Sequence, residues 1–249
     1  MGNITFLGTG AGDGGTPRNK TAILIQTETT TLLLDAGEPC TQTLFSLGLG
    51  HEALQTIFIS HCHGDHVAGL PALIQYKQVC GRKQPLTIHL PEILISPLSQ
   101  WLEVLSLPHR DLSFPLHFHP LIAGERHAIK SLTVSAFPTT HDCKRGRESF
   151  GFIVKEDHRR LVYSGDIGSV NDLQTVLETQ TDVLICELAH ISPDDLLRLL
   201  KDKHVSLLLL THIGALYLDE LHEIARFLDM ELPQVKQVFL PMDCESYSF

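Results

Sequence analysis

The sequence predicts an α/β fold made of two β-rich halves flanked by helices, and three observations predict it. Short apolar runs of strand length alternate with helix-length amphipathic segments along the chain. The order hairpin, strand, helix occurs early in the chain and again later, which implies two such halves. Four later strands end on an acidic residue or a histidine, at His141, Asp166, Glu187 and His212, so their tips should assemble one site.

Composition bounds the reading. The 249 residues, 43% hydrophobic and 19% charged, suit one globular unit over residues 1–249, with no linker or low-complexity stretch between the halves. A formal charge of −10 argues against a broad nucleic-acid-binding face while allowing a local basic patch. Six cysteines lack any C-x-x-C spacing, which favours free thiols in a reducing compartment. The chain starts directly on a strand, and no apolar run approaches the ~18 residues of a membrane span, so a soluble cytoplasmic protein is expected.

Asn3 to Leu7 reads as the first strand. The glycine-rich run Gly8 to Gly15 follows, and Gly10 to Gly15 matches G-x-G-x-x-G. A dinucleotide site requires a helix next, whereas Thr16-Pro17 leads into the β-rich Thr21 to Gln26. The run is therefore read as a loop bordering the site. Ala22 to Thr27 and Thr30 to Leu34 form a hairpin that delivers Asp35. Its neighbours Leu32, Leu33 and Leu34 imply burial, and a buried carboxylate needs partners, here the ring N–H groups of metal-ligating histidines. Thr41 to Leu47 reads as a helix ended by Gly48.

Leu54 to Ser60 reads as a buried strand and Val67 to Tyr76 as a helix. Between them, His61-Cys62-His63-Gly64-Asp65-His66 occupies a loop at the C-terminal end of a strand, where α/β sheets carry chemistry. No regular helix or strand points four such side chains one way; a tight loop can. Imidazole suits zinc and other borderline first-row metals, and the carboxylate among the histidines suggests a second ion. Cys62 and the later Cys143 are not needed as ligands.

Leu86 to His89 is read as a strand, with His89 away from metal, Pro97 to Leu105 as a helix, and His117-Phe118-His119 as a polar strand face. Leu132 to Phe137 alternates cleanly and ends just before His141. Phe150 to Lys155 and Arg160 to Tyr163 form a second hairpin, which delivers Asp166. Asp182 to Cys186 delivers Glu187 and His190, and Ser206 to Leu210 delivers His212. Pro193 to Lys201, capped by Ser192, and Asp219 to Leu228 are amphipathic helices. Val235 to Leu240 closes the second half. Lys144, Arg145 and Arg147, directly after His141, form a cationic cluster that reads either as a binding element for the anionic part of a substrate or as a solvated loop.

The ordered set Asp35, His61-x-His63-x-Asp65-His66, His141, Asp166 and His212 resembles the sequential motifs of the metallo-β-lactamase superfamily. Within it, Gly8-Thr9-Gly10, Leu34-Asp35-Ala36-Gly37-Glu38, the stretch from Ile59 to Pro71 and Pro85-Leu86-Thr87-Ile88 resemble ribonuclease Z. That family trims the 3′ end of precursor transfer RNA, and its neighbours include phosphodiesterases acting on small cyclic phosphates. The resemblance implies a four-layer αββα sandwich with two divalent metal ions at its rim, expected to be zinc, with manganese or iron as alternatives. His61, His63 and His141 would hold one ion, Asp65, His66 and His212 the other, and Asp166 would bridge them. Glu187 and His190 match a further pair, in which the histidine assists the leaving group and the glutamate orients it. The long arm by which ribonuclease Z grips transfer RNA has no counterpart: only Asp142 to Ser149 separate His141 from the next strand.

The expectation is a dinuclear-zinc phosphodiesterase that uses a metal-bridging hydroxide on small nucleotide-like or cyclic phosphodiesters, with Asp65 accepting the water's proton. Nucleic acid would bind weakly, membrane not at all, and a homodimer is compatible with the sequence. The alternatives are a ribonuclease Z acting on transfer RNA 3′ ends, a thioester or lactone hydrolase on the same metals, and a non-enzymatic metal-binding sensor.

Overall fold

Side-chain alternation along the strands decides the layering. A strand sends successive side chains to opposite faces, so a strand apolar at every position must be covered on both. The computed structural model, which describes residues 2–13 and 17–249, has this arrangement. Gly14 and Gly15 of the glycine-rich run lie outside the described residues.

In chain order, β1 (Asn3–Gly8), β2 (Ala22–Gln26) and β3 (Thr31–Leu34) precede α1 (Cys40–Ser46). Then β4 (Thr56–Phe58) leads through the single-turn α2 (Gly64–Val67) to α3 (Leu70–Val79), and β5 (Leu86–Leu90) leads to α4 (Glu92–Val104). Strands β6 (Leu116–Pro120), β7 (Arg126–Ile129), β8 (Leu132–Pro138), β9 (Phe150–Glu156), β10 (Arg159–Tyr163) and β11 (Thr181–Leu188) come before α5 (Pro193–Leu200). Last are β12 (Val205–Ile213), α6 (Leu221–Glu231), β13 (Gln237–Phe239) and β14 (Ser246–Ser248).

One sheet has the order β14-β1-β2-β3-β4-β5-β6 and the other β13-β12-β11-β10-β9-β8-β7. Ile23, Ile25, Leu32 and Leu34 point from the first sheet into a core shared with Leu161, Tyr163, Val183, Ile185 and Leu209 of the second. Leu24 and Leu33 point the other way, into a core with Leu44 of α1, Leu73 of α3 and Leu98 of α4. Val162, Leu184 and Leu208 likewise pack against Leu196 of α5 and Leu228 of α6. The layers are thus helix, sheet, sheet, helix, the αββα order implied by the sequence motifs. Each fully buried Leu or Ile side chain contributes roughly 1.5–3 kcal/mol, so three continuous cores hold the scaffold rigid under its loops.

Strand direction then places the site. β3 to β6 are mutually parallel, as are β10 to β13, so the C-terminal ends of β3 and β4 share one edge and those of β10, β11 and β12 another. The two edges meet: Phe150 N donates to Ser60 O across the sheets at 2.9 Å, and Tyr163 Oη donates to Asp35 Oδ2 at 2.7 Å.

Four elements differ from the sequence reading. The expected helix from Val67 to Tyr76 is two helices, because Gly69 N leaves the helical ladder to donate to Ala36 O at 2.8 Å, which fastens it to the loop after β3. α4 begins at Glu92 and carries Pro97 inside it. β7 pairs with β8 and β14 with β1, although neither has a continuous apolar run. Among the described residues, no helix is long and apolar enough to cross a membrane.

Candidate metal centre

Six strand ends supply the site, and each fixes its side chain by local backbone geometry. Asp35, immediately after β3, has φ 58°. This left-handed conformation is one that aspartate tolerates better than most residues. Ser164-Gly165-Asp166 turns off β10 with Gly165 at φ 57°, where a Cβ would also meet Phe150 O at 2.3 Å, so only glycine lets Asp166 swing into the centre. His212 is the extra residue of a β-bulge: Glu187 pairs with Thr211 and Leu188 with Ile213, leaving His212 unpaired at φ 49°. A bulge re-aims one side chain without ending the strand. Here it points His212 at Asp166.

The ligand atoms converge in overlapping sets. His61, His63, His141 and Asp166 each bring one to within 4.8 Å of all the others, as do Asp65, His66 and His212, and also Asp166, His190 and His212. Asp166 is 2% exposed. Its Oδ2 lies 3.5 Å from His61 Nε2, 3.6 Å from His141 Nε2 and 3.3 Å from His212 Nε2, and its Oδ1 lies 3.4 Å from His66 Nε2. Asp65 Oδ2 is 3.5 Å from His66 Nε2 and 3.8 Å from His212 Nε2.

These atoms fit a cation better than they fit one another. His63 Nδ1 lies 3.0 Å from His61 Nε2 and 3.2 Å from His141 Nε2, yet one ring nitrogen can supply at most one proton to the pair. With zinc–nitrogen bonds of 2.0–2.1 Å the edge of a tetrahedron is about 3.3–3.4 Å, close to these spacings. The buried atoms His66 Nε2 and Asp166 Oδ1 have no hydrogen-bond partner. A buried polar atom without a partner is costly, and a cation would supply one to both. Imidazole nitrogens and carboxylate oxygens suit zinc, manganese and iron alike.

A relay behind the ligands fixes their tautomers. Asp35 accepts from Ser60 N at 2.7 Å, from Ser60 Oγ at 2.9 Å and from Tyr163 Oη, so its remaining bond, 2.8 Å to His66 Nδ1, takes that ring's proton. Ser60 Oγ, its own hydrogen given to Asp35, accepts from His61 Nδ1 at 3.0 Å. Thr21 Oγ1 gives its hydrogen to Gly10 O and accepts from His212 Nδ1 at 2.7 Å. All three histidines therefore present a bare Nε2 to the centre, the arrangement that metal-binding histidines need.

Electrostatics agree with a cation site. Burial, reinforced by His66, holds His61 well below the ordinary histidine range, and burial also lowers His141, which favours the neutral ring that metal binding requires. Burial opposes protonation of His66 too, but Asp166 and Asp35 outweigh it and raise its pKa well above the ordinary value. Against the same opposition from burial, His212 and His66 hold Asp166 well below the usual carboxylate range.

Glu187 and His190 come together at the mouth. Glu187 is fully buried and accepts from Ile167 N at 3.1 Å, Ala189 N at 2.7 Å and His190 N at 2.9 Å, while its Oε1 accepts from His190 Nδ1 at 3.1 Å. Burial works against a charge on His190, yet the hydrogen bond and charge of Glu187 prevail and raise its pKa. His190 Nδ1 is 3.8 Å from Asp166 Oδ2, so the ring borders the ligand cluster with its other nitrogen free.

The basic loop is split. Lys144 and Arg145 line an opening of about 400 Å³ with His63, His141 and His190, whereas Arg147 lines a separate hollow beside Ile122 and Phe150. Asp142, 3% exposed, sits 3.4 Å from Arg145 and 3.9 Å from Arg147, and so neutralises part of the cluster. The glycine-rich loop does border the site. A Cβ on Gly12 would lie 2.9 Å from Asp65 Oδ2, so the loop's backbone closes over that carboxylate.

Sequence reasoning missed Thr21, Ser60 and Tyr163, the hydroxyls that orient the ligands, and Asp172. The last accepts from Gly168 N at 2.9 Å and from Thr140 N at 2.9 Å, and so ties the loop after Asp166 to the loop of His141. Only Ser60 carried a signal, its place next to His61.

Known proteins share the sequence pattern and the fold. A sequence profile described as Anti-Pycsar protein Apyc1 matches residues 2–227. Ribonuclease Z of Shouchella clausii (strain KSM-K16) is 35% identical over 159 residues, covering 63% of this chain and 49% of that protein, so the chain spans about half the length of that relative. The metallo-beta-lactamase fold protein YhfI from Bacillus subtilis matches with a TM-score of 0.82 at 18% identity, over 99% of this chain and 98% of that one. The short form of human tRNase Z matches with a TM-score of 0.78 at 26% identity, again over 99% and 98%. The four layers are those of the metallo-β-lactamase fold.

Proposed function

The chain belongs to the Anti-Pycsar protein Apyc1 family and is ribonuclease Z-like in sequence; from that premise we propose that it is a metal-dependent phosphodiesterase acting on small nucleotide-like or cyclic phosphodiesters. The observation that carries the reading is the buried Glu187 accepting from His190 Nδ1 at 3.1 Å and so turning that ring toward Asp166, 3.8 Å away. An alkoxide leaving group needs a proton, whereas a thiolate leaves without one.

His61, His63 and His141 would hold one ion, Asp65, His66 and His212 a second, and Asp166 both, with zinc as the expected metal. Such ions, when bound, lower the pKa of water and neutralise phosphoryl oxygens. The protein's residues do the rest. Asp65 accepts the proton of the attacking water as its oxygen bonds to phosphorus. His190 gives the proton of its free ring nitrogen to the leaving oxygen as the P–O bond breaks, and Glu187 stabilises the imidazolium until then. Lys144 and Arg145 bind the non-reacting side of the phosphate.

The test is turnover of bis-p-nitrophenyl phosphate and 3′,5′-cyclic mononucleotides beside a thioester and a lactone, with metal content measured on the same preparation. Turnover of both phosphodiesters with two ions per chain is expected. Turnover confined to the thioester or lactone would replace the reading with an acyl hydrolase. A ribonuclease acting on transfer RNA 3′ ends is the second reading, favoured by the 35% identity to a ribonuclease Z. The short Asp142 to Ser149 connection, which leaves no room for a gripping arm, weighs against it.

A further inference from the structure

The mouth of the site consists of two adjoining cavities with different chemistry. The opening of about 400 Å³ has Lys144 and Arg145 on its wall, with Asp142 3.4 Å from Arg145. A second cavity, of about 490 Å³, shares Gly168 and His190 with the first and runs on past Asn171 and Gln174 over the apolar side chains Ile191 and Leu199. Its arginine, Arg198, is paired with Asp195. Beyond His190, this second cavity therefore offers amide groups, with its charged side chains Asp195 and Arg198 paired to each other.

The wall is held in place. Asp172 accepts from Gly168 N at 2.9 Å and from both the N and the Oγ1 of Thr140, and Ser169 Oγ accepts from Asn171 N at 3.1 Å. Asn171 is thus fixed relative to the His141 and Asp166 loops, and so relative to the ligand cluster.

We propose that the second cavity is a nucleobase pocket, in which Asn171 and Gln174 hydrogen-bond the base of a nucleoside phosphodiester whose phosphate lies against the metal ligands. The proposal rests on the phosphodiesterase reading above. If His190 protonates the leaving oxygen, the group bearing that oxygen lies on the far side of His190, where this cavity opens. Each side-chain amide presents donors and an acceptor, and a base edge presents the same mixture. Ile191 and Leu199, largely buried in the core, form only the floor of the cavity, and the paired Arg198 leaves no free cation to call for a second phosphate. The volume lies in the ~300–1,000 Å³ range of small-ligand sites. It suits one nucleoside rather than a polymer.

A base can come from a cyclic mononucleotide or from an RNA end, and the experiment separates them. kcat and KM are measured on bis-p-nitrophenyl phosphate, which has no base, on 3′,5′-cyclic mononucleotides with different bases, and on a short single-stranded RNA. The proteins are wild type, the double variant Asn171→Ala/Gln174→Ala and Asn171→Asp, at matched metal content. Calorimetry with nucleoside monophosphates gives the binding contribution separately. Losing two net hydrogen bonds should raise KM for cyclic mononucleotides about tenfold more than KM for the base-free ester. Nucleoside monophosphate affinity should fall in parallel, and Asn171→Asp, which exchanges donors for a carboxylate, should change the order of preference among bases. Equal changes on all substrates overturn the pocket alone, leaving the phosphodiesterase intact. A rise confined to the RNA overturns it as well, because the base then belongs to a polymer end. A wild type that turns over bis-p-nitrophenyl phosphate but neither turns over cyclic mononucleotides nor binds nucleoside monophosphates overturns the cyclic-nucleotide reading together with the pocket.

Discussion

Asp166 faces the nitrogens of His61, His141, His212 and His66 at 3.3–3.6 Å through its two oxygens, so among the described residues it joins the two candidate ligand groups. Asp166→Ala should therefore lose both ions together, with elemental analysis showing substoichiometric metal; a variant retaining one tightly held ion would refute the bridge. Asp35→Asn acts one bond further out, by disturbing the tautomer of His66, and a second-sphere change of this kind weakens metal affinity by about 10–100-fold. His190 is different, because the sets His61–His63–His141–Asp166 and Asp65–His66–His212 each converge without it. His190→Ala should keep its metal and lose ~10²–10⁴-fold in turnover of alkyl phosphodiesters, with a smaller loss on p-nitrophenyl esters whose leaving group needs no proton. Equal losses on the two would remove the acid role. Glu187→Gln gives the sign of the pH effect. Glu187 raises the His190 pKa, a general acid loses activity as pH rises through its pKa, and so the alkaline limb of the alkyl-ester profile should move to lower pH in the variant. An unmoved limb would assign that ionisation elsewhere.

At the scale of elements, β5, β6 and β7 bring three histidines to the seam between the sheets. His89 stacks on Phe58 with ring centroids 4.4 Å apart and faces His127 at 4.2 Å and His119 at 5.4 Å. Burial, with the neighbouring His127 and His119, pushes His89 down to about 3, and its Nδ1 has no partner. A histidine depressed in the folded state takes up its proton first in the unfolded chain, at about 6.5. Stability is therefore fully present above that value and is lost as pH falls from there toward 3. His89→Phe keeps the stack and abolishes the titration, so its acid-unfolding midpoint should lie at lower pH than wild type; an unchanged or higher midpoint would show that the seam does not limit acid stability. The same elements show what a sequence reveals. β3, β4, β11 and β12 are continuous apolar runs covered on both faces, and such runs announce themselves, as did the ligand types at their ends. β7, with exposed Arg126 and Ala128, and β14 at a sheet edge bury too little to leave a pattern. The bulge at His212 was illegible for another reason, since it exists only in the register of β12 against β11. Thr21 and Tyr163 are distant in sequence from the residues they orient, and no local spacing announces them.

For the whole molecule, the relation between net charge and local charge decides how large a substrate can be held. The chain carries −10, and of the basic loop only Lys144 and Arg145 reach the mouth, Arg145 lying 3.4 Å from Asp142. Arg147 faces a different hollow. A polyanion therefore finds one short cationic wall beside the candidate ligand cluster on a chain of net negative charge. Each phosphate of a single strand neutralised by protein cations adds about −0.7 to the log–log slope of affinity on salt. With contacts to two or three phosphates, the slope for a short RNA should be no steeper than about −1.4 to −2.1. The affinity of a cyclic mononucleotide should depend on salt only weakly, and it should compete with RNA for the site. Measuring KM for both between 50 and 200 mM salt, a range over which extensive phosphate contact costs about 10³–10⁵ in affinity, separates the cases. A steep slope with efficient cleavage of intact precursor transfer RNA would mean that a positive surface is supplied from elsewhere, by a second copy of the chain or by a partner.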